Sequence, residues 1–180
     1  MKDNELGNIV EYDAFGKVTS IKTYIGNNQY STIYFQYDNK DRITVYKSND
    51  YNTTYEYDDN DNIIHVVYSS VFTTNTESSV ILSEEWYSYD EQNRLRQKKV
   101  IDNEEMREIW YRYDIKGNIN YRKSIDEDGY ITEQYHEYDE PNRIIYTKNE
   151  FDDKIEEYWY KYDKNNVCRI YKESKTYKNI

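Results

Sequence analysis

Few side chains of this sequence could carry out catalysis. It has two histidines, His65 and His136, and one cysteine, Cys168. Each takes a position where similar segments of the chain have Tyr, Phe, Ile or Leu, so we expect all three to be packing residues. Neither histidine has another His or Cys at the spacing of a metal site. We therefore expect no metal, no cofactor and no nucleophile, and predict that the protein is not an enzyme.

The many carboxylates predict turns rather than acid–base chemistry or cation binding. The segments 58–63 and 126–129 are similar to parts of calcium-binding loops. The first has Ile63 where a calcium loop needs glycine, and Ser69 where it needs glutamate. The sequence contains no glycine-rich phosphate loop and no zinc-protease motif. A calcium site is therefore not expected.

Composition favours a β-rich acidic protein. Its 180 residues include 24 Tyr but only three Leu and one Ala, and the formal net charge is −11. Leu and Ala are strong helix formers, whereas Tyr favours strands and buries a large apolar area. The negative charge disfavours nucleic acid and anionic membranes as partners, and favours either a basic protein partner or simply solubility. The first residues lack the features of a secretory signal, so we predict a cytoplasmic protein.

The dipeptide Tyr-Asp recurs seven times, which is the strongest signal in the sequence. Each copy continues with two free positions, then Gly, Asn or Asp, and then an apolar residue two positions later. We predict one domain, residues 1–180, built from seven repeats. The repeats lie near 8–30, 31–50, 51–82, 83–106, 107–131, 132–155 and 156–180.

The repeated unit predicts a β-hairpin with a defined register. The Asp can accept bonds from the backbone of its own turn, and Gly, Asn or Asp tolerates the left-handed conformation that a three-residue hairpin loop needs. Each Tyr then faces the apolar residue beyond the turn. The predicted pairs are Tyr12–Val18, Tyr37–Ile43, Tyr57–Ile63, Tyr89–Leu95, Tyr113–Ile119, Tyr138–Ile144 and Tyr162–Cys168. One step further out come Phe35–Val45, Tyr55–His65, Tyr111–Tyr121, His136–Tyr146 and Tyr160–Ile170.

Second turns must join the hairpins. The candidates are Asn49-Asp50, Asp102-Asn103, Asp126–Gly129 and Asp152-Asp153. The 32-residue spacing between the third and fourth copies predicts a longer hairpin that turns near 74–77. It represents either tolerated variation in length or a protruding contact arm. The predicted fold class is all-β: an antiparallel meander of about seven hairpins in one curled, open or partly closed sheet, with the tyrosines on its concave side.

An aromatic series occupies the other face of the predicted sheet. Three residues before the repeat Tyr come, in order, Ile9, Tyr34, Thr54, Trp86, Trp110, Tyr135 and Trp159. The hairpin register places Arg122 across from Trp110, Lys98 across from Trp86, and Tyr171 across from Trp159. These aromatics either stabilise the sheet by cross-strand contacts or form a recognition surface. The candidate partner-binding residues are Tyr34, Trp86, Trp110, Arg112, Arg122, Tyr135 and Trp159.

The repeated element resembles the Rhs, or YD-repeat, family. The segments that carry the resemblance are YSYDEQNRL, YRYDIKGNI, HEYDEPNRI and YKYDKNN, and it extends over about residues 8–175. The resemblance implies a spiralling sheet of β-hairpins that builds a hollow shell, often around a toxin domain in secreted bacterial proteins. This chain is too short to close a large shell, and only two of its seven repeat turns keep Gly, at Gly16 and Gly117.

The sequence therefore predicts a non-enzymatic protein-binding module. Its most specific form is an immunity protein that neutralises a bacterial toxin, with a basic toxin domain as partner. The alternatives are a carbohydrate-binding surface module, suggested by the exposed aromatics, and a fragment of an Rhs-type shell protein. The sequence leaves the oligomeric state open.

Overall fold

The computed structural model describes residues 7–27, 29–73, 77–151 and 154–176, which form strands and turns with no helix. None of these residues belongs to a helix long and apolar enough to cross a membrane. The strands are β1 (Asn8–Tyr12), β2 (Val18–Gly26), β3 (Gln29–Tyr37), β4 (Ile43–Lys47), β5 (Tyr51–Tyr57), β6 (Ile63–Thr73), β7 (Glu77–Tyr89), β8 (Leu95–Asp102), β9 (Glu105–Tyr113), β10 (Ile119–Ile125), β11 (Ile131–Tyr138), β12 (Ile144–Phe151), β13 (Lys154–Tyr162) and β14 (Cys168–Thr176).

The strands form an antiparallel meander, as the sequence predicts. Hydrogen-bonded neighbours follow chain order from β1 to β14, so β1 and β14 each have one neighbouring strand. The chain divides into two compact units within β7: unit 1 ends at Glu85 and unit 2 begins at Trp86. The predicted all-β fold class and the hairpin meander are confirmed.

All seven Tyr-Asp turns form in the predicted way. In the fifth, the Asp114 N–H donates to the Asn118 carbonyl at 2.9 Å, and the Gly117 N–H donates to the Asp114 carbonyl at 3.1 Å. The Asp114 carboxylate accepts the N–H groups of Lys116 and Asn118, both at 2.9 Å. The fourth turn residue always has positive φ, which Gly, Asn and Asp tolerate best. These residues are Gly16, Asp41, Asp61, Asn93, Gly117, Asn142 and Asn166.

The second turns that the structure describes also agree with the sequence. Asp126 repeats the Tyr-Asp turn pattern, since Gly129 has φ of 83° and donates to the Asp126 carbonyl. The turn predicted at Asp102-Asn103 lies one residue later: Asp102 pairs with Glu105, and Asn103 and Glu104 both have positive φ, as a type I′ hairpin turn requires. The Ser48 N–H donates to the Tyr51 carbonyl across the Asn49-Asp50 turn. The predicted turn at 152–153 lies outside the described residues.

A β-bulge follows most Tyr-Asp turns and corrects part of the predicted register. Tyr113 pairs with Ile119 as predicted, but Arg112 pairs with Tyr121, so one residue of β10 is extra. The predicted pair Tyr111–Tyr121 is therefore wrong, and Tyr111 faces Arg122 instead. The same shift contradicts Phe35–Val45, Tyr55–His65 and His136–Tyr146. The last hairpin has no bulge, and there Tyr160–Ile170 is confirmed.

Each unit is a thin sheet with little enclosed core. In the described residues, Val66 and Tyr121 are the buried hydrophobic side chains, and no large side chain is completely buried. The repeat residues Tyr37 and Tyr138 are half-buried. The predicted rolling of the sheet around its tyrosines is therefore not found within either unit. Contacts between neighbouring strands must provide most of the stability.

The long hairpin has the longest of the described strands. β6 has 11 residues and β7 has 13, whereas the other strands have five to nine. The lengthening that the 32-residue spacing predicts is therefore confirmed. Its turn lies largely outside the described residues.

Candidate interaction surface

The repeat tyrosines bind the backbone of the preceding repeat. We call the face that carries them the tyrosine face. The Tyr138 hydroxyl donates to the Ile119 carbonyl at 2.7 Å, and Ile119 begins the strand just before the bulge of the preceding hairpin. The phenol thus satisfies a carbonyl beside an interruption of the ladder. The same bond joins Tyr37 to Val18, Tyr57 to Ile43, Tyr113 to Leu95, and Tyr162 to Ile144.

Arginine after the turn adds a second connection between repeats. Arg143 holds the carboxylate of Asp139 with two nitrogens, at 2.7 and 2.6 Å, and lies 4.3 Å from the ring centre of Tyr162 in the following repeat. Arg42 and Arg94 do the same above Tyr57 and Tyr113, at 4.5 Å. A guanidinium over an aromatic ring is an attractive cation–π arrangement. The Asp-Arg positions of the motif therefore serve structure.

The opposite face of unit 2 carries the predicted aromatic series. Trp110 and Arg112 on β9 lie there, and the bulge adds Tyr121 and Lys123 from β10. The Arg112 guanidinium is 4.2 Å from the centre of the Tyr121 ring, and the Lys123 ammonium is 5.8 Å from that of Trp110. Tyr121 is only 8% exposed. The predicted partner of Trp110, Arg122, is therefore replaced by Lys123.

A carboxylate joins two neighbouring phenols on this face. The Tyr121 and Tyr135 rings are 5.0 Å apart, and their hydroxyls donate to the two oxygens of Glu133 at 2.6 and 3.1 Å. Burial, followed by the bond to Glu133, raises the pKa of Tyr121 to about 12. The hydrogen bond from the Tyr121 hydroxyl is the main reason that the pKa of Glu133 is lowered. The network therefore holds a charged carboxylate beneath two neutral phenols at neutral pH.

The series continues toward β13 and β14. Tyr146 lies 5.7 Å from Trp159, and its hydroxyl donates to Glu157 at 2.6 Å. Trp159 pairs with Tyr171, as predicted. At the other end, the Lys99 ammonium lies 5.6 Å from the ring centre of Trp86, whereas Lys98 lies over Tyr87. The predicted Lys98–Trp86 contact is therefore replaced by one with Lys99.

A groove opens beside Trp110 on this face. Its volume is about 400 Å³. The residues that line it are Arg96, Trp110, Tyr111, Arg112, Tyr121 and Lys123. Two of the seven candidate residues, Trp110 and Arg112, thus contribute to one concave site.

Of the other candidate residues, Arg122 is placed differently from the prediction. It pairs with Tyr111 on the tyrosine face and donates to Ser124 and Gln134, so it does not join Trp110. Tyr34 lies in unit 1 opposite the tyrosine face, where it pairs with Ser20 and Lys47 and is 49% exposed.

The three residues with possible chemistry have different surroundings. His136 lies on the tyrosine face as predicted. Its Nδ1 is hydrogen-bonded to Thr147 Oγ1 at 3.0 Å, and burial lowers its pKa. His65 pairs with Glu56 on the opposite face, because the bulge reverses the predicted orientation. Cys168 is exposed on β14 and is not the core residue that the sequence predicts. In the part of the chain described, no three His, Cys, Asp or Glu side chains cluster as a metal site would require.

The sequence interpretation missed Tyr121, Lys123 and Arg96 as members of this surface. Simple alternation along β10 assigns Tyr121 to the tyrosine face, and the bulge reverses that assignment. The residues of these strands do not reveal the bulge, because the strands after the turns range from the mostly polar LRQKKVID to the mostly apolar IIHVVYSSVFT.

Comparison with known proteins shows a shared fold. No family model matches the chain, and no curated protein matches it. Among solved structures, it is similar to a chain of the Tc holotoxin pore of Photorhabdus luminescens, with a TM-score of 0.52 and 14% identity. The match covers 94% of this chain and 11% of that chain, so this chain spans about a tenth of its neighbour's length.

Proposed function

We propose that this chain is a wall segment of an Rhs-type, YD-repeat shell protein, with a structural and not a catalytic role. The observation that carries the proposal is the identical junction between successive repeats. In each of five junctions the repeat tyrosine donates to the carbonyl of the first strand residue after the preceding turn. In four of them a bulge follows that residue, at Val18, Ile43, Ile119 and Ile144. Because every junction is the same, further hairpins can be added to the sheet one after another, as in other repeat proteins.

The fold similarity supports this proposal over the immunity function. The neighbour is a toxin-complex protein of which this fold is a small part. A wall segment would need further hairpins paired with its edge strands. An immunity protein would not need such pairing. Immunity, antitoxin activity and a cytoplasmic location stay predictions from the sequence.

The two edge strands have the properties that a continued sheet requires. Every residue of β14 is exposed, as is every residue of β1. β14 carries three cations and one carboxylate, whereas β1 carries one carboxylate and no cation. Unpaired strand edges accept further strands, and this charge difference favours pairing of β14 with β1 of another segment.

Sedimentation over a range of concentrations tests the proposal. We expect the mass to rise above the 22.1 kDa of one chain as concentration increases, by head-to-tail pairing of edges. Val10→Lys on β1 should keep the protein monomeric, because a charge at an edge opposes pairing. Ile115→Lys is the matched control, since Ile115 is fully exposed at a turn rather than on an edge strand.

Two results would contradict the wall-segment proposal. One is a wild-type chain that stays monomeric at every concentration. The other is an equal reduction of association by Val10→Lys and Ile115→Lys. Equal effects would mean that the chains associate through exposed hydrophobic side chains in general and not through the edge strands.

A further inference from the structure

We propose that the groove beside Trp110 binds a small phosphate-bearing anion. Three cations from three adjacent strands line it: Arg96 on β8, Arg112 on β9 and Lys123 on β10. This concentration of positive charge occurs in a chain with net charge −11. It is independent of the wall-segment role.

None of the three cations has a carboxylate within 4.0 Å in the described structure. The comparison with the turns is informative, because Arg94 and Arg143 are each held by the Asp of their own turn. Arg112 and Lys123 lower the pKa of Glu133 by charge alone, and both oxygens of Glu133 accept phenol hydroxyls. The groove therefore has positive charge that no side chain neutralises directly.

The arrangement favours an anion over a sugar ring. Stacking of a sugar requires an exposed aromatic face, but Arg112 covers Tyr121 and Lys123 covers Trp110. The charged groups, and not the rings, are available to a ligand. This argues against the carbohydrate-binding alternative at this site.

The number and origin of the cations favour phosphate over a single carboxylate. A carboxylate can occupy one guanidinium with two parallel bonds, which leaves two cations without a counter-charge. A phosphate monoester is close to doubly charged at neutral pH and has three oxygens directed differently, so it can meet groups from three strands. The volume of about 400 Å³ also leaves room for an organic group attached to the phosphate.

Calorimetric titration with glycerol 3-phosphate tests the site. Inorganic phosphate, glutarate and glycerol are the comparison ligands, at ionic strength held constant with NaCl. We expect glycerol 3-phosphate to bind more tightly than inorganic phosphate, and both more tightly than glutarate or glycerol. At ten times its Kd it should raise the Tm by about 3–6 °C.

Variants separate the groove from the rest of the surface. Arg96→Gln and Arg112→Gln should each weaken binding by about tenfold or more. Arg96 is exposed and makes no side-chain hydrogen bond or ion pair within the described residues, so its variant should fold even if Arg112→Gln is destabilised. Lys161→Gln is the matched control, because Lys161 lies over Tyr171 on the same face but outside the groove.

The proposal is overturned by any of three results. These are the absence of binding heat with either phosphate ligand, glutarate binding as tightly as glycerol 3-phosphate, or equal affinity in the wild type and the Arg96→Gln variant. Since the titration uses the monomeric concentration range, its failure would leave the edge-pairing result unaffected.

Discussion

The repeat residue is tyrosine because both parts of its side chain are used. The ring provides apolar area, and the hydroxyl satisfies a carbonyl of the preceding repeat, as Tyr138 does with Ile119. Phenylalanine would provide the apolar ring but no hydroxyl. The partly buried carbonyl of the preceding repeat would then lose its hydrogen-bond donor. This explains a composition with 24 Tyr and only four Phe.

Replacement of one hydroxyl tests this role. Tyr138→Phe should lower the free energy of unfolding by about 1 kcal/mol, the usual net value of one hydrogen bond. Tyr12→Phe is the control, because Tyr12 is 61% exposed and precedes the first junction; its effect should be under about 0.5 kcal/mol. Urea denaturation measures both. Equal effects of the two substitutions would contradict the role of the hydroxyl.

At the scale of the element, the turn could be predicted and the bulge could not. Asp114, Gly117 and their equivalents determine the loop through local bonds that the spacing of residues reveals. The bulge also involves the neighbouring repeat, because the Ile119 carbonyl just before the bulge accepts a hydrogen bond from Tyr138, 19 residues away in the chain. The face of Tyr121 was therefore assigned incorrectly, whereas that of Trp110 was assigned correctly.

The Asp of the turn makes stability depend on pH. The pKa of Asp90 is lowered chiefly by the bond from Arg94, and that of Asp114 by the bond from Asn118. Carboxyls whose pKa is lower in the folded state stabilise it fully above the unfolded value of about 3.9, and this stabilisation is lost as the pH falls through the folded value. We therefore expect the free energy of unfolding to decrease below about pH 4.

Denaturation with urea between pH 7 and pH 2 measures this dependence. Asp114→Asn keeps an oxygen for the N–H groups of Lys116 and Asn118 but carries no charge. Its stability should therefore fall less steeply with acid than that of the wild type. Identical slopes for the two proteins, or a stability independent of pH, would contradict the assigned role of the turn carboxylates.

At the scale of the whole molecule, order propagates from one repeat to the next. In both units, contacts join strands that are consecutive in the chain. Few side chains are buried in the part of the chain that the structure describes, so no core found there can substitute for these junctions. Stability in such a chain is close to a sum over neighbouring interfaces. The sequence could indicate this because the repeat is visible in its residues, but the groove at Trp110 required the register of three strands.

Hydrogen–deuterium exchange of the Tyr138→Phe variant tests the junction most directly. Loss of this hydrogen bond should destabilise both strands that it joins. Amide exchange should therefore accelerate in β11, which carries Tyr138, and in the first residues of β10, where the Ile119 carbonyl accepts the bond. β13 should change much less. Faster exchange confined to β11, or exchange equal to that of the wild type, would contradict a structure in which each tyrosine holds the preceding repeat.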